Sequence, residues 1–513
     1  MTLSLCMLPG RAEAMNRRIT MLLTMLCICM LGSARTYERV RRSSFWNDGS
    51  NAAGIRQDTT SVACAEIYGG YEAGGLHDYG AAPRSWNAGA RTMAFKHLER
   101  LSLAGSFAFE QKQGYEMFGS MFIEPGFYPV DVLEFTPGRK TLQKYTFDGK
   151  VSYDLNDNWR IGAGMDFLSA NLAKSKDLRH TNYRLDFSVT PSAVWHSGDW
   201  AVGISAMVGK NSESIDAEVI GTAQSTYYAF FDKGLMYGIH EGWEGSSIHL
   251  KEAGVKGLPV SEITCGGALQ MSWRKLYAEL EYTHRDGRIG EKEFLWYRFQ
   301  GHGLRARLGY RFTTGEYTHG FRLDASMVRQ ENQEAVMEKV TEGGVTNVTI
   351  YAFNSIFERR TFEVNPEYEL VSDLWELKWN AHADIFSGVS SQKYPFVYIQ
   401  NVIDASTSAE ALVHVWNFDI GAGVGFAKGF FDEQNKMMLP ASDSNRPDRI
   451  EDYAAYRIEY MEAARIRTAL KLRFNFWKGL YVQADGGYEH AFDVELLPGS
   501  SRICASLRIG YDF

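Results

Sequence analysis

Long stretches of the chain alternate apolar and polar residues with a period of two. The final segment shows it well: Ile503, Ala505, Leu507, Ile509, Tyr511 and Phe513 are apolar, whereas Arg502, Cys504, Ser506, Arg508, Gly510 and Asp512 are polar or small. A period of two sends successive side chains to opposite faces, so the segment reads as a strand with one apolar and one wet side. Residues 464–476 repeat the pattern, with Ala464, Ile466, Thr468, Leu470, Leu472, Phe474 and Phe476 set against Arg465, Arg467, Lys471, Arg473 and Asn475. After a short turn at Trp477-Lys478-Gly479, Leu480, Val482, Ala484 and Tyr488 oppose Gln483, Asp485 and Glu489. Two amphipathic strands joined by a tight turn predict a hairpin.

The same rhythm predicts about 18 strands, from 61–71 to 501–513, with 406–416 and 419–428 the weakest pair. Dropping weak pairs leaves 16 or 14, so the count stays even. Short turns fall near Glu99-Arg100, Leu155-Asn158, His196-Asp199, Arg274, Thr313-Gly315, Ser372-Asp373 and Asn417-Phe418. Between them lie long connections at 112–140, 211–262, 331–355, 387–405 and 428–462. Short and long connections in alternation fit an all-β, up-and-down antiparallel transmembrane barrel with short periplasmic turns and long extracellular loops. Such a barrel has to close, because an open edge in lipid strands its N–H and C=O groups.

Export is expected. Arg17 and Arg18 precede a mostly apolar run from Ile19 to Leu31, and Gly32-Ser33-Ala34 offers small residues for cleavage. Residues 1–34 therefore read as a signal peptide, with Met15 a possible true start. Residues 35–60 read as a small plug in the barrel mouth or a periplasmic tail, and 61–513 as the barrel. Removing the leader takes Cys6, Cys27 and Cys29 and leaves Cys64, Cys265 and Cys504. That is no disulfide framework, and no Cys/His spacing suggests zinc. It also removes Arg11, Arg17, Arg18 and Glu13 from 54 basic and 62 acidic residues, leaving 51 and 61, a net charge of −10. That balance argues against nucleic acid as a partner. Beyond the leader no apolar run is long enough for a membrane helix.

Several strings together resemble a family of outer-membrane β-barrel proteins of unknown function from Bacteroidota-type bacteria. They are Asn51-Ala52-Ala53-Gly54, Leu103-Ala104-Gly105-Ser106-Phe107-Ala108-Phe109, Lys176-Asp177-Leu178-Arg179-His180-Thr181-Asn182 and Tyr511-Asp512-Phe513. The chain departs from that pattern at Leu178, where Pro is expected. The resemblance implies a membrane barrel near TonB-dependent receptor systems and brings no substrate. A closing strand that ends on an aromatic also resembles the signal read by the barrel-assembly machinery, which assigns Tyr511 and Phe513 to that role.

Candidate chemistry sits on the inward faces. Glu279 and Glu281 precede Arg305, Arg307 and Arg311; Glu363, Glu367 and Glu369 precede Lys378, His382 and Asp384; Arg465, Arg467, Lys471 and Arg473 face Asp485 and Glu489. These charges read either as cross-strand ladders that hold register or as selectivity zones of a pore. Tyr227, Tyr228, Phe230, Phe231, Tyr237 and Trp243 in the 211–262 connection could stack on sugars or pack the loop into the lumen. The acidic 428–462 connection has no calcium-loop spacing and reads as solvated. His284, His302 and His319 come from successive strands and could meet near the outer rim. No GxSxG, HExxH or Walker string is present, so no catalysis, metal or cofactor is expected. The function expected is a porin-like channel or an accessory of small-solute uptake. The alternative is a non-conducting scaffold or receptor whose loops bind a lipoprotein, a polysaccharide or a host molecule. Expected partners are outer-membrane lipids and the assembly machinery, with a TonB-dependent receptor or surface lipoprotein as further candidates.

Overall fold

The computed structural model describes residues 37–57, 61–218, 228–242, 258–290, 295–342, 345–392, 397–435, 450–477 and 479–513. The leader, Tyr227 and Trp243 lie outside the described residues. The chain enters through two short helices, α1 (Tyr37–Ser43) and α2 (Phe45–Asp48), and a 3-10 turn at Ala52–Gln57. The wall begins with β1 (Val62–Gly74), β2 (Arg84–His97), β3 (Leu101–Ser120), β4 (Asp131–Asp154), β5 (Trp159–Lys174), β6 (Arg179–Ser197) and β7 (Trp200–Glu218). A small hairpin, β8 (Tyr228–Asp232) and β9 (Gly238–Gly242), follows. The wall resumes with β10 (Leu258–Trp273), β11 (Leu276–Gly290), β12 (Leu295–Thr314), β13 (Tyr317–Glu342), β14 (Val345–Val371) and β15 (Trp375–Ser390). It continues through β16 (Tyr398–Val415) and β17 (Phe418–Gln434), then helix α3 (Ile450–Glu462), and ends with β18 (Arg465–Trp477), β19 (Leu480–Ala491) and β20 (Ser501–Asp512).

Apart from the β8–β9 hairpin, each strand pairs antiparallel with the next, and β7 pairs with β10. β20 pairs with β1 along the register Cys64↔Asp512 to Gly74↔Arg502, which closes an 18-stranded barrel. Closure satisfies the ladder of every wall strand and leaves no sheet edge. The even count puts the start of β1 and the end of β20 at one end, together with the short turns. Five of those turns leave two residues between strands, and Arg274 (φ 52°) and Trp416 (φ 55°) take the positive φ that tight hairpins need.

The strands rise further on the other side than their alternation suggests. The 112–140 and 331–355 stretches are largely strand: β3 runs to Ser120, and β13 and β14 reach 26 and 27 residues. Residues 387–405 are also mostly strand, divided between β15 and β16. At this level the inner face carries buried apolar residues such as Val132, Tyr297, Phe299 and Phe357, so the apolar-out, polar-in signal fades while backbone pairing goes on. The 428–462 connection also holds α3, whose Tyr453, Tyr456 and Tyr460 recur at helical spacing on a buried or half-buried face.

Outside, large apolar side chains are exposed: Val208 at 62% and Leu470 at 68%, with Ile67, Ile204 and Leu269 close behind. Aromatics edge this band at the short-turn end, among them Trp159, Trp195, Trp200, Trp273, Phe418 and Phe474, with Trp200 stacked on Trp273 at 5.7 Å. A second set, including Phe107, Tyr145, Tyr183, Tyr282 and Phe426, lies higher on the wall.

Candidate functional site: a plugged, roofed lumen

The N-terminal segment lies inside the barrel at the short-turn end. Trp46 is buried, donates its indole N–H to Ser272 Oγ (3.1 Å) and meets Tyr277 edge-on at 5.3 Å. Phe45 stacks on the same Tyr277 ring at 6.0 Å. Asn51 donates to Ala193 O, Ile204 O and Gln270 Oε1. Lys150 Nζ donates to Gly49 O at 2.7 Å, and Ser152 Oγ to Ala53 O at 3.1 Å. Asp48 draws in Arg41 (3.2 Å) and Arg322 (2.9 Å), while Arg307 donates to its carbonyl (3.1 Å). The wall makes room with glycine: a Cβ on Gly203 would stand 2.6 Å from Asn51 Nδ2, and one on Gly309 2.7 Å from the Phe45 ring. Residues 37–57 are thus a docked plug, held by β4–β7 and β10–β13, and α1 reaches across to stack Tyr37 on Phe95 of β2 at 5.2 Å.

At the opposite end an apolar roof covers the lumen. The β3–β4 connection supplies Met121, Phe122, Tyr128 and Val130, and the β8–β9 hairpin supplies Phe231, all in one cluster with Tyr297, Phe299 and Phe357 of the wall. A second cluster joins α3 to the β1–β2 and β19–β20 connections through Leu76, Tyr456 and Leu497. Phe230 and Tyr453 link the two sides. Phe230, Phe231 and Tyr237 are at most 2% exposed. All three are packed inside the roof, and Tyr228 is half-buried.

Under the roof, Asp131 of β4 and Asp232 of β8 are register partners. Asp131 accepts from Ser120 Oγ and Val132 N, both at 2.7 Å, and Asp232 from Gly234 N at 2.8 Å. Burial pushes the Asp131 carboxyl up to about 7, with its neighbour Asp232 adding to the rise; burial lifts Asp232 to about 6. Arg457 of α3 opposes both shifts.

Beside the plug and below the roof a chamber of about 1720 Å³ runs along β12–β20, β1 and β2. Its lining starts at the turn residues Trp416, Asn417 and Gly479, climbs to Arg467 and Cys504, and includes no residue of the roof clusters. The sequence-derived charges all sit on inward strand positions, and the structure divides them. Glu279 and Arg307 (3.3 Å apart) bind the plug, with Ser50 N donating to Glu279. Arg305 meets Asp324 at 3.0 Å, Arg311 meets Glu369 at 3.3 Å, and Lys378 meets Glu367 at 3.3 Å. Glu363 lies 3.8 Å from His382. Near the C-terminus, Arg465 reaches Asp404 (3.6 Å), Arg467 reaches Glu489 (2.8 Å) and Arg473 reaches Asp512 (2.6 Å). Asp485 meets Arg508 at 3.6 Å. Among the described residues Glu281, Asp384 and Lys471 make no ion pair.

Sequence reasoning missed Glu410, His414, Asp419 and Arg508 of the chamber wall; the inward alternation of β16, β17 and β20 carries all four. The histidines do not converge. His284 and His302 are register partners with rings 4.9 Å apart, but His319 stacks on Phe312 near the short turns. Among the described residues no cluster suited to a metal ion is present.

The family model described as "Family of unknown function (DUF6850)" matches residues 52–513. No curated protein matches the sequence. Similar solved structures include the FrpB iron transporter from Neisseria meningitidis, at 9% identity and TM-score 0.45, covering 90% of this chain and 83% of that one. The outer membrane transporter YddB from Escherichia coli is 7% identical with TM-score 0.41, covering 87% and 81%. BauA, the ferric preacinetobactin receptor from Acinetobacter baumannii, is 8% identical with TM-score 0.40, covering 89% and 80%.

Proposed function

The chain belongs to the family of unknown function DUF6850, and from its own geometry we propose an outer-membrane barrel that serves small-solute uptake and is closed to free diffusion at rest. An apolar exterior of this height with aromatic edges calls for hydrocarbon between two interfaces. On that placement the short turns face the periplasm and the roof faces outward. The observation that carries the reading is the asymmetry of the lumen. Its outer mouth is filled by apolar packing, and its inner half is a charged chamber that opens beside the plug. A porin-like pore needs a continuous wet path, whereas this arrangement needs the roof or plug to move first.

Planar-bilayer recording tests it. The unmodified protein should give no steady conductance, and a variant with a loosened roof should give discrete steps. A stable ohmic conductance from the unmodified protein would sink the closed reading. The non-conducting scaffold remains the second reading, favoured by the roof itself, which presents a folded surface outward. Under it, crosslinking from the 228–242 hairpin should capture a defined partner such as a TonB-dependent receptor or surface lipoprotein, and solute uptake should be normal in a deletion strain.

A further inference from the structure

The chamber wall pairs its charges with few exceptions. Glu66 with Arg91, Glu369 with Arg311, His414 with Asp419, Arg473 with Asp512 and Asp485 with Arg508 are examples, all within 4 Å. Away from the rim turns, two lining charges make no ion pair or hydrogen bond among the described residues: Lys471 on β18 and Glu410 on β16. They have opposite signs and stand on either side of β17. Each has a register neighbour that could have answered it and does not. Asp485 lies opposite Lys471, but its oxygens take Gln483 Nε2 (2.8 and 3.0 Å) and Ser506 Oγ (3.2 Å). Lys378 lies opposite Glu410, but its ammonium turns to Glu367.

Between the two charges β17 carries glycines, and only Leu412 reaches over it, its Cδ1 3.1 Å from where a Cβ on Gly421 would stand. Glu410 is level with Gly423, and Lys471 with Gly421. At Gly423 an added Cβ would meet nothing closer than 3.4 Å, and its φ is ordinary, so neither backbone nor packing demands glycine there. This contrasts with Gly203, where the plug occupies the space. The missing side chain at Gly423 leaves volume in the chamber. β16 and β18 lie about 10 Å apart across β17, a gap that two flexible side chains and a small solute can fill.

We propose that this patch binds a zwitterionic solute, a free amino acid or short peptide, with its carboxylate at Lys471 and its ammonium at Glu410. The inference rests on the chamber being reachable from the short-turn end, as the proposed function requires. In a wet lumen an unpaired charge is tolerable. Two of opposite sign on either side of a glycine-bearing strand, in a wall whose other charges away from the rim are paired, match a ligand that carries both charges.

Cys504 provides the probe, since it lines the chamber and is exposed there. The full protein in nanodiscs would be treated with an anionic, membrane-impermeant methanethiosulfonate, with Cys504→Ser as the control for site. Four ligands would compete: dialanine, its N-acetyl form, its C-terminal amide and the doubly blocked N-acetyl amide. Dialanine should slow labelling at concentrations about tenfold below either singly charged form, the size of one charged hydrogen bond, and the neutral form should do least. Lys471→Gln should abolish the preference for a free carboxylate, and Glu410→Gln the preference for a free amine. Glu410→Gln is isosteric and Lys471→Gln replaces the ammonium by a neutral polar amide, and barrel folding can be verified by heat-modifiable gel mobility. Labelling that none of the four ligands slows, or that all slow equally, overturns the inference and leaves the chamber intact. Failure of Cys504 to label at all would instead count against the proposed function, because the chamber would be sealed.

Discussion

At the residue scale, two glycines on the same wall make opposite predictions. Gly203 faces the plug, so Gly203→Leu drives a side chain into Asn51 and Trp46. The plug should leave its seat while the barrel, whose ladder is untouched, still forms. Limited proteolysis from the short-turn end should then cut within 37–57, where the unmodified protein resists. Gly423 faces the chamber, so Gly423→Leu should leave the plug protected and slow thiol labelling of Cys504. Equal effects from both substitutions would mean that the two glycines do not serve different neighbours. Asn51 acts at the same scale. One side-chain amide answers two wall carbonyls and Gln270, and Asn51→Ala leaves those buried acceptors short of a donor, at about 1–3 kcal/mol of plug docking.

At the element scale, the roof is the part able to respond to conditions. The β8–β9 hairpin is held by Phe231 stacked on Tyr297 at 5.5 Å. Phe231→Ala should weaken that contact by about 3–5 kcal/mol, too little to unfold a closed barrel but enough to open the roof part of the time. Bilayer recordings should then show brief openings. The same roof holds Asp131 and Asp232. Their folded-state pKa values of about 7 and about 6 lie above the ordinary 3.8. The folded roof therefore binds more protons than the open one between those values. Its stability is fully present below about pH 4, falls as pH rises through 6 and 7, and is flat above. Hydrogen exchange of the β8–β9 amides, corrected for intrinsic rate, should accelerate from pH 4 to 7, and Asp131→Asn should flatten the larger part of that slope.

At the scale of the whole molecule, stability comes from closure. β20 is the last strand and seals against β1, with Phe513 N donating to Ala63 O at 2.8 Å and the Phe513 side chain 72% exposed. An aromatic that packs so little contributes little to the folded barrel. Phe513→Ala should leave the thermal transition of the assembled protein unchanged and lower the amount assembled in cells, read as the heat-modifiable fraction on a gel. A drop in the transition itself would assign Phe513 a packing role instead.

The alternation alone determined most of the wall. All 18 strands were legible, including the weak pair that became β16 and β17, because the wall exposes apolar residues outward at alternate positions along its strands. Inwardness of Arg307, Glu369 or Arg467 follows from the same rule. Partner choice does not. Asp485 lies opposite Lys471 in register and still turns to Gln483 and Ser506, because a side chain settles among all the donors within reach, and several of those come from other strands. The roof and the plug were decided in three dimensions too. Residues 37–57 carry no pattern that separates a tail from a plug; what seats them is room left by glycines at 203 and 309, far away in sequence, and only folding brings those vacancies to face Trp46 and Phe45.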